Sequence, residues 1–356
     1  MKVHLLSGFL GSGKTTAIQQ ACNIFLKQGL RVGVITNDQG IKLVDGNFFK
    51  SLDIPNRQVV DGCFCCKYND LNKSIESLIE ERRPDIIFAE SVGSCTDIVA
   101  TVVKPLLLYR KENKVTVSTF ADARLLYMLL QGKTPSFNDS VIYIYKKQLE
   151  EAGLIIVNKI DLMSTDDLKE LTRLINEKYA RKEIIFQNSL DVNNVALWIQ
   201  ALEASNLSGE LSSLDIDYEI YGAGEAKLAW LDQELEIFNS YKSPYKDAVD
   251  LINLIYEKIV AFNYSIGHLK FLLNEEIKMS FTSSTSPKIT PEPKGHSSSS
   301  ATLLINARIE TTPDIVYKII SEAIKEISIR SGCVMATKTI SAFQPKFPRP
   351  THRIVN

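Results

Sequence analysis

The chain has 356 residues, 41 Lys and Arg against 42 Asp and Glu, and a formal net charge of −1. Single cores stop growing near ~250–300 residues, so this length predicts two domains. Near-neutral charge leaves no electrostatic footprint for nucleic acid or an anionic membrane, and no apolar run approaches the ~18 residues that span a bilayer.

Met1-Lys2 leads straight into the apolar run His4–Leu6, which predicts a strand, no signal peptide and a soluble cytoplasmic protein. The loop Gly8-Phe9-Leu10-Gly11-Ser12-Gly13-Lys14-Thr15 follows, and Thr15–Gln28 reads as a helix opening on Thr15-Thr16. Strand, glycine-rich turn and helix together predict a phosphate cradle. Backbone N–H groups of Gly11, Ser12, Gly13 and their neighbours turn inward, and the helix N-terminus adds partial positive charge. Lys14 is expected on the terminal phosphates, and Thr15 on Mg²⁺.

Strands are predicted at Arg31–Thr36, Ile86–Ala89, Val115–Phe120, Gly153–Val157 and Ile184–Phe186. Helices are predicted at Asp70–Glu81, Asp97–Leu107, Ala123–Leu130, Ser140–Glu151, Thr165–Tyr179 and Asn193–Ala204. This alternation predicts an α/β fold, a mostly parallel sheet with helices on both faces. Ligands of such sheets bind at the carboxyl ends of the strands. Asp38 and Glu90 each stand just past a strand end, where one carboxylate is needed to organise Mg²⁺ and the attacking water. The backbone N–H of Gly93 is placed to sense a γ-phosphate. Between these segments, Gly62-Cys63-Phe64-Cys65-Cys66 gathers three of the six cysteines. A reducing compartment argues against disulfides. Three soft thiolates favour Zn²⁺, Cu⁺ or Co²⁺ and leave a fourth position open. Asp61 is a candidate extra ligand, and Cys95 and Asp97 are candidates to approach the same face.

Asn158-Lys159-Ile160-Asp161 follows an apolar strand and predicts the base. Asp161 can accept from the N1 and N2 donors of guanine, which adenine lacks, Lys159 lies over the base, and Asn158 binds back to the phosphate loop. Ser189, after the next strand, is placed to close over the guanine edge. Residues 205–215 read as a polar linker between domains at 1–204 and 216–356. Beyond it, strands at Ala229–Phe238, Ile277–Ser283, Thr302–Ile309 and Val334–Ala342, with helices at Lys246–Leu273 and Pro313–Arg330, predict a ferredoxin-like α+β domain. The Ser-, Thr- and Pro-rich stretch 283–300 is too polar to pack and predicts a mobile loop. His268 falls within the predicted long helix and reads as a packing or surface residue rather than a ligand.

Taken in order, Gly8–Thr16, Thr36-Asn37-Asp38, Gly62–Cys66, Glu90–Gly93 and Asn158–Asp161 resemble the CobW/HypB/UreG family of P-loop GTPases. The Gly-Cys-x-Cys-Cys element is similar to its CobW-like branch, whereas Asp38 is closer to the UreG and HypB branches. The resemblance covers roughly the first two hundred residues. It implies Mg²⁺-dependent GTP hydrolysis, a metal site between the two switch elements, and delivery of a transition metal, Zn²⁺ or Co²⁺, to a client metalloprotein or cofactor-pathway protein. Nucleotide-dependent homodimerisation is implied as well. Two other readings stay open at this stage. One is a GTP-dependent conformational activator of a corrinoid or other cofactor protein that carries no metal. The other is a small-molecule kinase, which has no use for Asp161.

Overall fold

Seven strands form one parallel sheet, whose five inner strands are buried on both faces and so read as continuous rather than alternating, while the two edge strands, NRQV and EIIFQ, are partly exposed. A computed structural model describes residues 1–40, 44, 49, 54–110, 114–133, 137–204, 211–240, 243–283 and 299–355. The sheet contains β1 (Lys2–Gly8), β2 (Val32–Asn37), β3 (Asn56–Val59), β4 (Ile86–Glu90), β5 (Lys114–Asp122), β6 (Leu154–Asn158) and β7 (Glu183–Gln187). Their spatial order is β3-β2-β4-β1-β5-β6-β7. Every pair is parallel, and the register sets Thr36 and Leu6 beside Glu90, and Asp122 beside Asn158. Gly8, Asn37, Glu90, Asp122 and Asn158 therefore all end strands on one edge, with β1 central where the strand order reverses.

The helices of this unit are α1 (Lys14–Lys27), α2 (Tyr68–Arg82), α3 (Lys104–Tyr109), α4 (Ala123–Leu130), α5 (Asp139–Glu151), α6 (Thr165–Lys178), α7 (Val192–Ala204) and α8 (Tyr218–Ala226). The predicted helix at 97–107 is not continuous. A π-helical turn at Val99–Val103 precedes α3. Pro105 has no N–H to close an α-turn onto Thr101, so the ladder opens there.

The second sheet is antiparallel, in the order β10-β9-β11-β8-β12. Its strands are β8 (Leu228–Phe238), β9 (Ile266–Leu273), β10 (Ile277–Phe281), β11 (Ser300–Glu310) and β12 (Val334–Phe343). Helices α9 (Pro244–Ala261) and α10 (Pro313–Ser331) supply the rest. Omitting β10, the connectivity is the ferredoxin-like βαββαβ, as expected, with β10 added beside β9 as a hairpin. Its turn uses Asn274 and Glu275 at φ 52° and 58°. The predicted helix at 246–273 is corrected: it stops at Ala261, and Ile266–Leu273 is a strand. Asn263, at φ 58°, ends the helix. A strand buried on both faces has no period to set it apart from a buried helix. His268 accordingly lies buried in β9, not on a helix.

Leu231, Leu235, Leu269, Phe271, Leu303 and Ile305 form the core under α9 and α10. The opposite face carries the fully buried Arg308, whose Nη1 meets Asp232 Oδ1 at 2.8 Å and whose guanidinium lies 3.9 Å from the Trp230 ring. The chain divides into two compact units, 1–39 with 52–224 and 347–356, and 40–51 with 225–346. This differs from a single boundary at 205–215: α8 as far as Gly224 and the last ten residues belong with the parallel sheet, and 40–51 with the antiparallel one. Residues 205–210 and 284–298, which carry most of the predicted linker and polar loop, lie outside the described residues. Among the described residues no helix is long and apolar enough to cross a membrane.

Candidate nucleotide and metal site

The phosphate loop is shaped by two glycines that nothing else can replace. A Cβ on Gly8, at φ 124°, would stand 2.1 Å from Phe120 O, and one on Gly13, at φ 94°, 2.2 Å from Asn158 Nδ2. Gly11 is left-handed too, at φ 72°. The loop thus hands its N–H groups to the mouth of α1, which begins at Lys14 with Thr15 and Thr16 in its first turn. Lys14 is buried, and its Nζ donates to Gly8 O at 2.6 Å and Phe9 O at 3.3 Å, both on the loop itself. Thr15 Oγ1 donates to Glu90 Oε1 at 3.0 Å. The structure therefore brings Glu90 to the hydroxyl expected on Mg²⁺. Asp38, partly buried just past β2, donates its backbone N–H to Val59 O at 3.1 Å.

The expected base site assembles around Asn158. Its Nδ2 donates to Ser12 O at 2.8 Å, while its Oδ1 accepts from Ser189 N at 3.0 Å and Ser189 Oγ at 2.8 Å. One side chain thereby ties the phosphate loop to the segment after β7. Lys159 adopts a left-handed backbone, φ 64°, and its Nζ meets Asp122 Oδ2 at 2.9 Å. Burial pushes the Asp122 carboxyl up, but the Lys159 and Arg124 charges and the α4 backbone N–H groups outweigh it and hold it below the usual range. Asp161 stands exposed on a one-turn helix, Ile160–Leu162, at the same edge. Asp122 was missed from sequence. Its signal was available, since it ends the strand adjacent to the one that Asn158 ends.

The loop after β4 is seated on the phosphate loop. A Cβ on Gly93 would lie 2.8 Å from Leu10 N and 2.9 Å from Leu10 Cα, so the two backbones touch. Ser91 N donates to Leu6 O at 2.9 Å, and Gln148 Nε2 donates to Gly93 O at 3.0 Å and Cys95 O at 2.7 Å.

Cys63 and Cys65 are buried, and Cys66 is partly so. The sulfurs of Cys63 and Cys65 are 2.7 Å apart, those of Cys65 and Cys66 3.9 Å, and all three lie within 4.8 Å of one another. Zn–S bonds of about 2.3 Å at tetrahedral angles set sulfurs roughly 3.8 Å apart, so a soft dication fits the cluster with modest adjustment. Hydrogen bonds from Cys65, Cys66 and Cys95 hold the Cys63 thiol well below its ordinary pKa despite burial. The contact with Cys63 in turn pushes Cys65 up, and it pushes Cys66 up to about 12, burial adding to the rise and the Cys65 contact opposing it. One negative charge forms readily here, and further ones call for a cation.

Asn37 fixes this loop. Its Nδ2 donates to Val59 O at 3.0 Å and Gly62 O at 2.7 Å, and its Oδ1 accepts from Phe64 N at 2.7 Å. The last residue of β2 thus holds the cysteine turn, a role its place beside Asp38 only hinted at. The carboxyl-terminal segment holds the other side. Arg349 N donates to Cys66 Sγ at 3.2 Å, Thr351 N to Cys65 O at 2.8 Å and Thr351 Oγ1 to Cys66 O at 3.0 Å. His352 packs edge-on against Tyr68, with centroids 5.0 Å apart. No signal near the cysteines announced these residues. Of the other candidate ligands, Asp61 is exposed and pairs with Lys67 at 3.5 Å. Asp97 is buried and engaged, accepting from Arg353 Nε and Tyr218 OH at 2.7 Å each. It anchors the tail.

Residues 2–186 match the sequence model described as CobW/HypB/UreG, nucleotide-binding domain. The chain belongs to this family. It is 27% identical over 207 residues to the zinc chaperone CobW of Sinorhizobium sp, covering 51% of this chain and 57% of that protein. It is 31% identical over 206 residues to the zinc-regulated GTPase metalloprotein activator 1 of Dictyostelium discoideum, covering 49% and 43%. With the zinc chaperone YeiR of Escherichia coli it shares 24% over 187 residues, covering 52% and 54%. The chain spans about half the length of these family members.

Proposed function

We propose that this chain is a GTP-binding and GTP-hydrolysing metallochaperone, or metal-cofactor maturation factor, whose cargo is zinc. One observation carries the reading: neighbouring strands β2 and β4 each end on a residue that serves one of the two sites. Asn37 holds the cysteine loop, and Glu90, paired in register with Thr36, touches Thr15 at the mouth of the phosphate loop. A change in the strand ends that follows the γ-phosphate is therefore felt at the cysteines.

In this reading Gly11, Ser12, Gly13 and Thr16 cradle the phosphates with Lys14, and Thr15 holds Mg²⁺. Glu90 or Asp38 orients Mg²⁺-bound water and the attacking water, and Gly93 senses the γ-phosphate. Lys159 and Asp161 take the guanine, with Asn158 and Ser189 closing its pocket. Cys63, Cys65 and Cys66 carry the metal. Zinc is favoured over cobalt because the zinc chaperones are the similar proteins, and thiolates suit it. The partner is a client metalloprotein, and a second copy of the chain is the expected partner in the GTP-bound state.

The test is zinc content and GTP turnover of anaerobically purified protein and its Cys65→Ser variant. Stoichiometric zinc that the variant loses while still binding GTP supports the reading. GTP turnover with no cysteine-dependent metal contradicts it, and favours an activator that works on a cofactor protein without carrying metal.

A further inference from the structure

The described residues past β12 form no helix or strand, yet 347–356 belong to the parallel-sheet unit. Pro345, Pro348 and Pro350 fix φ at their positions and bias their neighbours to extended backbone, so little freedom is lost when this stretch docks. Phe347 seats its start. A Cβ on Gly222 of α8 would lie 2.4 Å from the Phe347 Cδ2, so the ring rests on bare helix backbone. From there the segment makes two sets of contacts. The first is on the cysteine turn, where Arg349 N donates to Cys66 Sγ and Thr351 N and Oγ1 donate to Cys65 O and Cys66 O. The second is on the segment after β4, where Arg353 Nε donates to Asp97 Oδ2 at 2.7 Å and Ile354 N to Ala100 O at 2.9 Å. Between them the His352 ring lies 5.0 Å from Tyr68 and 5.4 Å from Tyr109.

We propose that residues 349–354 are a strap that closes the cysteine centre, and that its release opens Cys66 to the incoming ligand of a client. The inference rests on the metal reading above and adds how the cargo is kept and let go. Cys66 is the one of the three cysteines that is not buried, so ligand exchange with a client starts at its sulfur. Arg349 N stands 3.2 Å from that sulfur, and a donor there steadies the thiolate while the strap is down.

Asp97 is the latch. Its side chain is 1% exposed, and its Oδ2 accepts from both Arg353 Nε and Tyr218 OH. Lifting Arg353 leaves a buried charge without its cation, which keeps the strap closed at rest. Asp97 follows Gly93 on the same segment, and the Gly93 backbone lies against Leu10 of the phosphate loop. A shift of that segment with the γ-phosphate carries the latch with it, while Asn37 holds the cysteine turn in place. One extended segment cannot follow both. Nucleotide state thus reaches the exit of the metal as well as its ligands.

The test reads strap and zinc separately on the full chain. In the metal-free, unsubstituted protein the Thr351 and Ile354 amides should be protected in hydrogen–deuterium exchange. Arg353→Ala removes the latch and touches no sulfur. It should speed exchange at Thr351, and zinc withdrawal by a chromogenic chelator, by about tenfold or more, the factor carried by one hydrogen bond to a charged group. GTP binding by the variant certifies its fold. Free-peptide exchange at Thr351 and Ile354 in the unsubstituted chain overturns the proposal, whatever any variant does. So does zinc withdrawal from Arg353→Ala at the unsubstituted rate. A chain with protected tail amides that takes up no zinc contradicts the metal reading, and the strap's role with it. The exchange measurement distinguishes that failure from an unlatched tail.

Discussion

Asn37 spends its whole side chain on the cysteine loop, with two donors and one acceptor all satisfied by backbone groups of residues 59–64. Asn37→Ala takes its partner from Gly62 O and Phe64 N, while Val59 O keeps the Asp38 N–H, at a cost of about 1–3 kcal/mol for each group that stays dry. Expected outcomes are a lower melting temperature and weaker zinc binding by chelator competition, with GTP affinity nearly unchanged. Equal loss of both ligands would show that Asn37 serves the fold rather than the metal. Asp161 poses a separate question, because it is exposed. Its discrimination must come from pairing with the base as the site closes. Asp161→Asn replaces an acceptor pair with one acceptor and one donor, so preference should move from GTP toward xanthosine triphosphate. Unchanged selectivity in competition binding would place the base elsewhere. Both residues were visible in the sequence, but only Asp161 with a role. Local runs such as Gly8–Thr15, Gly62–Cys66 and Asn158–Asp161 state their chemistry in consecutive residues. Asn37 and Thr351 take theirs from partners 27 and 285 residues away.

At the scale of elements, the end of α5 and the turn before α3 meet at Glu151. Its carboxylate accepts from Thr96 Oγ1 at 3.1 Å and Val99 N at 3.2 Å, tying the start of the π-turn to α5. Burial pushes its pKa from 4.5 to about 8, the Asp97 charge adding to the rise and the two donors opposing it. The folded state therefore holds a proton that the unfolded chain releases above 4.5. Stability from this group is complete below pH 4.5 and is lost progressively as pH rises toward about 8. Gln at 151 mimics the protonated acid. Glu151→Gln should therefore flatten the pH dependence of unfolding free energy across that window, by up to about 1.4 kcal/mol per pH unit. Parallel slopes for the two proteins in denaturant titrations would contradict this assignment. Element boundaries were hardest to read where two rules competed. Ile266–Leu273 is apolar on both faces, so helix and strand periods both fit it. The proline in α3 was read as an ordinary helix residue, although it opens the ladder into a π-turn.

For the whole molecule, the sequence shows two folds but not how the chain is shared between them. The residues after Gln39 leave the parallel sheet's unit, and Val44 N donates to Asn306 Oδ1 at 2.8 Å in the other. The carboxyl-terminal residues return to the first unit. Neither detour has a local pattern. The second unit depends on the ion pair beneath its sheet. Asp232→Ala would remove the counter-charge of the fully buried Arg308, at a cost of about 3–5 kcal/mol. The expected result is an early unfolding transition of the α9–α10 unit in calorimetry, while the nucleotide unit keeps its own. A single unchanged transition would contradict it. The central claim is that GTP and zinc act on each other through β2, β4 and the cysteine loops, and linkage makes it measurable. Zinc affinity is to be measured by chelator competition on the full chain, once with GDP and once with a non-hydrolysable GTP analogue. A difference in the range of about 5–150-fold is predicted, mirrored by the same factor in analogue-over-GDP preference with and without zinc. Equal zinc affinities in the two nucleotide states would contradict the account.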